Sequence, residues 1–316
     1  MYSFTRLYRT YILEISAAGD ENATHSSFLT LSEAGDEQRT SAQWHPNSLS
    51  VSAKIITLIT SQTSIPVAQP VLDTSCDILP HHFLLTLPYH LAFSSVISLS
   101  DAKQQNLLTP EQLTFIDLNI GRLLGQLHSG VLNEWYGLPQ EFNPPAPSYS
   151  WQESFTLLFE SLLSEQSESE MPLQEIRKYL SRAIAYFLFD DVEVPSLVWM
   201  TGSDDDIYLH IKDSSPQSVA IAAILPNVAH AIWGDPLLET FFMPPAPSKA
   251  LLEGYVDGGG EPLLVFPRQK TKRLWYTLFL ALLVLSEHPN QNEEKRKWAL
   301  DTSQKCVEAL QRAQFY

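Results

Sequence analysis

The sequence predicts an α+β fold of two unequal lobes, a small strand-rich one followed by a larger helical one. Three observations predict it. Short runs of β-branched and aromatic residues, bounded by polar turn sequence, crowd the first 88 residues. Apolar residues at helical spacing dominate from residue 101 onward. One isolated hairpin interrupts the helices: Ile207 to Ile211 and Val219 to Leu225, around the polar turn Lys212 to Ser218. The expected division is 1–88 and 89–316, with the hairpin region at 195–239 inside the second lobe. A chain of 316 residues is long enough to bury a sizeable core in such an arrangement.

In the first lobe, Arg9 to Ser16 (RTYILEIS) and Ser27 to Ser32 (SFLTLS) read as strands, and Glu33 to Asn47 as a polar loop. Ser50 to Ser61 places Val51, Ile55, Ile56 and Ile59 on one helical face, and Pro66 stops that helix. Val67 to Val71 and His82 to Leu87 return to strand. In the second lobe, Thr109-Pro110-Glu111 supplies an N-cap, an N1 proline and an acidic first turn. The helix that follows carries Phe115, Leu118, Ile120, Leu123, Leu124 and Leu127 as a broad apolar stripe. His128 closes it, in the position of a helix-end histidine bonded to nearby backbone. Trp151 to Leu163 and Leu173 to Phe189 are further amphipathic helices, joined by the acidic, solvated loop Ser164 to Glu170 (SEQSESE). A helix is expected from Leu237; Ala250 to Tyr255 and a Gly259-containing loop follow, then helices at Lys272 to Glu287 and Asn292 to Gln314. Gly258-Gly259-Gly260 is no phosphate loop, because no Lys-Ser/Thr follows it.

Thirty-six acidic against 20 basic residues leave a formal charge of −16. That argues against nucleic acid or an anionic membrane as the main partner; it serves solubility and would suit a cationic ligand. Cys76 and Cys306 lie far apart, with neither metal-ligand spacing nor the makings of a disulfide framework. The longest apolar run, Leu274 to Leu285, is too short to span a bilayer and reads as a buried helix. The N-terminal MYSFTRLYRTYILEIS lacks an apolar run followed by a small-residue cleavage site. A soluble cytoplasmic protein is the expectation.

The stretch Pro195 to Glu239 resembles the active-site region of the aminoglycoside phosphotransferase family, a branch of the protein-kinase-like fold, and is most similar to its fungal members. Their pattern runs LVHWDLxxxNIxV, a hairpin, then GIIDxExAxWGDPLxE. Trp233-Gly234-Asp235-Pro236 and Glu239 match that frame without a gap. Thr63-Ser64-Ile65-Pro66-Val67, the LxxLH ending at His128, and Tyr136-Gly137 resemble further family segments. The resemblance implies a two-lobed kinase-like fold in which the Asp235 carboxylate braces the catalytic loop.

Phosphoryl transfer by this fold needs an aspartate base, a metal-binding asparagine, a second metal-binding aspartate, and a lysine oriented by a glutamate. Aligned on the family, HxDxxxxN falls on Trp199, Thr201 and Asp206, and the metal aspartate on Asn227. The lysine falls on Thr30, or in a second alignment on Glu14; the glutamate falls on Ser52. Leu87-Pro88 resembles the hinge, and Tyr89, standing where glycine is usual, either narrows the adenine site or points to solvent. Base, principal metal ligand, lysine and glutamate are all replaced; Asp206 alone keeps a group able to ligate a cation. The resemblance therefore implies a pseudokinase that binds a small ligand or a protein, with neither ATP nor Mg²⁺ expected. Two other readings stay open. An ATP-independent isomerase, lyase or cyclase of fungal metabolism would reuse the cleft through Asp206, His230, Asn227 and Thr201, with His230 and Asn227 as a new acid–base pair. An atypical small-molecule kinase would take Asp204 or Asp205 as its base.

Overall fold

Strand β1 (Tyr8–Ala17) and strand β2 (Asp20–Ser32) pair antiparallel from Tyr8↔Ser32 to Ser16↔Thr24. The computed structural model describes residues 7–17, 20–32, 44–86, 96–140, 144, 146–200, 202–212, 215, 218–243, 247–263, 267–287 and 293–314. The hinge-like Leu87-Pro88-Tyr89 and the catalytic-loop position Thr201 lie outside them. β2 begins seven residues before the expected Ser27, because the length of β1 offers ladder partners to polar sequence as readily as to apolar sequence. Strands β3 (Pro70–Asp73) and β4 (Phe83–Thr86) complete a sheet ordered β1-β2-β4-β3. β3 starts later than expected. Ile65 and Val67 are buried, and the Pro66 carbonyl accepts from Ile224 N at 3.0 Å, so this segment serves the second lobe instead.

Between β2 and β3 lies helix α1 (Leu49–Gln62), capped by the Ser48 hydroxyl accepting from Val51 N. Its buried face is Leu49, Val51, Ser52, Ile55, Ile56 and Ile59. The second lobe opens with β5 (Ile97–Ser98), α2 (Leu99–Gln104) and α3 (Pro110–Gly130). α3 has a full capping box, Thr109 with Gln112, and proline at its start. Helices α4 (Trp151–Ser164) and α5 (Leu173–Ala185) follow. α5 stops four residues before the expected Phe189. Phe187 takes a φ of 51°, and Leu188 N and Phe187 N turn back to the Ala183 and Ile184 carbonyls. This C-terminal turn sends Leu188 and Phe189, both fully buried, into the core.

Strands β6 (Ser196–Val198), β7 (Ile207–Ile211), β8 (Val219–Ile224) and β9 (Ile232–Gly234) come next. β7 and β8 form the expected hairpin, β5 adds to it, and β6 pairs with β9. The helix expected from Leu237 is two single 3₁₀ turns, Pro236–Leu238 and Thr240–Phe242. Glu239 between them is extended (ψ 131°), which breaks any continuous helix. Helix α6 (Lys249–Asp257) crosses α3 closely: a Cβ on Gly121 would lie 2.1 Å from the Leu251 carbonyl oxygen, and one on Gly254 2.0 Å from that of Leu118. Only glycine permits that approach.

Helix α7 (Pro267–Glu287) starts five residues earlier than expected, since proline is well placed at a helix start. Helix α8 (Glu293–Gln311) packs on it. From Trp275 to Leu285 α7 is the axis of the main core, where Trp275, Tyr276 and Phe279 meet Phe155, Phe159 and Phe189 of α4 and the loop after α5. Each such side chain contributes roughly 1.5–3 kcal/mol by burial. Among the described residues, no helix is long and apolar enough to cross a membrane.

Candidate functional site

The first-lobe sheet, α1 and the segment after β8 line a small, partly open cavity. Thr30 faces Thr10 across the β1–β2 ladder, their hydroxyls 3.0 Å apart. Ser52 enters from the buried face of α1, and Asn227 from the turn following β8. The three positions to which the sequence alignment assigned the lysine, the glutamate and the metal aspartate thus line one cavity, with Tyr8, Leu49, Leu84, Leu225 and Val228 among its walls. Glu14, the other candidate for the lysine, is exposed on β1 and is not part of it. Among the described residues, every side chain of the lining is uncharged. Its free volume is about 20 Å³, room for one or two waters.

The segment following β6 runs along the second lobe. Trp199 is buried, and its indole N–H donates to the Asn227 carbonyl. Met200 is fully buried with φ 64°, a left-handed backbone that costs a non-glycine residue about 1 kcal/mol or more. Glu239 holds this segment: its Oε2 accepts from Trp199 N at 3.0 Å and lies 3.4 Å from His128 Nε2. The His128 Nδ1 side meets the Tyr255 hydroxyl at 3.1 Å. His128 is therefore not a helix-end residue bonded to nearby backbone. It joins α3 to α6 and to the turn after β9 through side chains.

Asp235, expected to brace this loop, is turned elsewhere. Its carboxylate accepts from Leu237 N (2.9 Å), Lys272 Nζ (2.9 Å) and the Tyr276 hydroxyl (2.7 Å), and the Trp151 indole donates to that same hydroxyl. Lys272 also reaches Asp191. Asp235 anchors the turn to α7; Glu239 braces the loop.

Asp206 is buried at the end of a 3₁₀ turn, its carboxylate accepting from Ser203 N (3.0 Å) and the Ser203 hydroxyl (3.3 Å). Burial pushes its carboxyl up to about 7, against the opposing pull of the two Ser203 bonds. It is not in the lining of the cavity with Asn227. Asp204 is paired with Lys103 at 2.6 Å, and Asp205 is exposed. Among the described residues, no three His, Cys, Asp or Glu side chains gather as a metal site.

His230 does not share the cavity with Asn227. It is fully buried 3.8 Å from the Glu287 carboxylate at the end of α7, with the Trp44 ring stacked on it at a centroid distance of 6.2 Å. Trp44 and Asn47, placed by the sequence in a polar loop, form a buried plug between the lobes. Trp44 N donates to Glu165, and its ring meets Phe279 edge-on. Asn47 N donates to the Ala229 carbonyl (2.6 Å), and its side-chain amide donates to those of Val228 and Ala231 (2.9 Å each). One residue thus ties the start of α1 to the segment that carries Asn227. A tryptophan isolated in polar sequence was the only local sign of it.

No family model matches the chain, and no curated protein matches it. Solved structures do. A candidate fructosamine-3-kinase from Haemophilus somnus is 13% identical with a TM-score of 0.57, covering 96% of this chain and 92% of its own. A candidate aminoglycoside phosphotransferase from Ralstonia eutropha is 12% identical with a TM-score of 0.56, covering 97% and 94%. The choline kinase LicA from Streptococcus pneumoniae is 13% identical with a TM-score of 0.50, covering 96% and 93%. The chain has the two-lobed kinase-like fold of these proteins over nearly its whole length.

Proposed function

We propose that this chain is a pseudokinase: a kinase-like scaffold that binds a small ligand or a protein partner and does not transfer phosphate from ATP. One observation carries the reading. Thr30, Ser52 and Asn227 meet in a pocket whose lining, among the described residues, holds no cation to receive phosphate oxygens and no carboxylate to hold Mg²⁺. Mg²⁺ bound with phosphates takes one or two carboxylates, and in this fold a lysine holds the α- and β-phosphates. Hydroxyls and one amide supply neither the charge nor the ligands that a magnesium nucleotide needs. Losing a single charge-stabilising group typically costs about 10²–10³ in rate. Here four are replaced.

The alternatives find less support. The groups an ATP-independent enzyme would gather point apart: Asp206 to Ser203, His230 to Glu287, Asn227 to the cavity. A displaced base at Asp204 is already engaged by Lys103. The charge of −16 supports a neutral or cationic partner over nucleic acid or an anionic membrane.

Thermal-shift titration with ATP in the presence and absence of MgCl₂ tests the proposal. A ligand at 100 times its Kd stabilises by about 2.7 kcal/mol. No magnesium-dependent rise in Tm is expected at millimolar nucleotide; a rise of several degrees that EDTA abolishes would overturn the reading.

A further inference from the structure

The acidic loop between α4 and α5 is untouched by the cavity and presents serines to solvent. Ser167, Glu168, Ser169 and Glu170 are all exposed. Ser167 has a glutamate one residue and another three residues downstream, the charge pattern that acid-directed serine kinases select through basic substrate pockets. The loop is also set against a cation. Glu170, whose N–H donates to the Ser167 carbonyl at 3.0 Å, carries its carboxylate to the Arg296 guanidinium of α8. Lys295 and Lys297 flank Arg296 in sequence and are exposed. A short segment that supplies an accessible hydroxyl, acidic determinants on its C-terminal side and a guanidinium able to take up phosphate oxygens has the parts of a phosphorylation switch.

We propose that Ser167 is a phosphoacceptor for an acid-directed protein kinase, and that Arg296 receives the resulting phosphate. The kinase transfers the γ-phosphoryl group of ATP to Ser167 Oγ. The new P–O bond forms as the bond to ADP breaks, and the hydroxyl proton passes to the kinase's own base. The product adds about two negative charges beside Glu165, Glu168 and Glu170. Arg296, turning from Glu170 to the phosphate, offsets their repulsion.

The full chain is incubated with a recombinant acid-directed serine kinase and radiolabelled Mg·ATP, with an acidic reporter peptide as control. Incorporation near one phosphate per chain, mapped to Ser167 by mass spectrometry, is expected. Ser167→Ala should lower it at least ~10-fold and Glu170→Gln several-fold, while Ser169→Ala stays within about two-fold. Equal labelling of wild type and Ser167→Ala, or none in the chain while the reporter is labelled, would overturn the site. For the receiving residue, phosphorylation should lower Tm by about 2 °C more in Arg296→Gln than in wild type. An identical shift in both would overturn the role given to Arg296.

Discussion

Replacing Asn47 by alanine should loosen the tie between α1 and the segment that carries Asn227. The side chain is 5% exposed and donates two bonds of 2.9 Å, to the carbonyls of Val228 and Ala231. Its removal leaves the Ala231 carbonyl without that donor and the Val228 carbonyl with the Ala231 N–H, at a cost of about 1–3 kcal/mol in all. The backbone bond from Asn47 N to Ala229 persists, so the change is confined to the amide. Urea denaturation measures the loss as a shift in midpoint at constant slope. Amide hydrogen exchange locates it, and protection over residues 225–231 should fall more than protection in α7. Asn47→Asp keeps the shape, loses both donors, and should cost at least as much at pH 7. A cost below ~0.5 kcal/mol for Asn47→Ala, with exchange unchanged at 225–231, would refute the plug.

Three further outcomes follow from the geometry. Asp206 has a folded pKa of about 7 against an ordinary 3.8. The folded state therefore binds the extra proton, and stability is lost as pH rises from about 4 through 7, by up to ~4 kcal/mol. Asp206→Asn keeps an acceptor for Ser203, so it should flatten that decline in Tm-versus-pH profiles, raising Tm above wild type at pH 8 and not at pH 4. Lys272→Met strands Asp235 as a buried, uncompensated charge and should cost about 3–5 kcal/mol in urea denaturation. Phe187→Gly should instead stabilise by ~0.5–1 kcal/mol in the same measurement, because its φ of 51° suits glycine and its side chain is 60% exposed.

Much of the fold was legible because its signals are local. The Thr109-Pro110 start of α3, the β-branched and aromatic run Ile207 to Ile211 and the apolar run of α7 each declare themselves within a dozen residues. Ser52 and Asn227 were legible only through the T-x-I-P-V and WGDP anchors and Thr30 only through the strand SFLTLS, and these three positions line one cavity. What escaped depends on tertiary partners. Helix α5 ends where Leu188 must turn inward, a demand of the core and not of propensity. Glu239 takes the bracing role expected of Asp235 because the extended backbone at Glu239 turns its carboxylate to Trp199 N, while Asp235 faces Lys272. His230 stands three residues from Asn227 yet leaves the cavity, since the intervening turn reverses the chain toward Glu287. Trp44 and Asn47 sit in sequence whose composition reads as loop, and their partners lie over 100 residues away.

Among the described residues, the pocket at Thr30, Ser52 and Asn227 offers a magnesium nucleotide neither a cation nor a carboxylate. Isothermal titration of the full chain with Mg·ATP tests this most directly. No saturable heat is expected up to millimolar nucleotide, and no difference when magnesium is replaced by EDTA. A one-site isotherm in the micromolar range that disappears on chelating magnesium would contradict it.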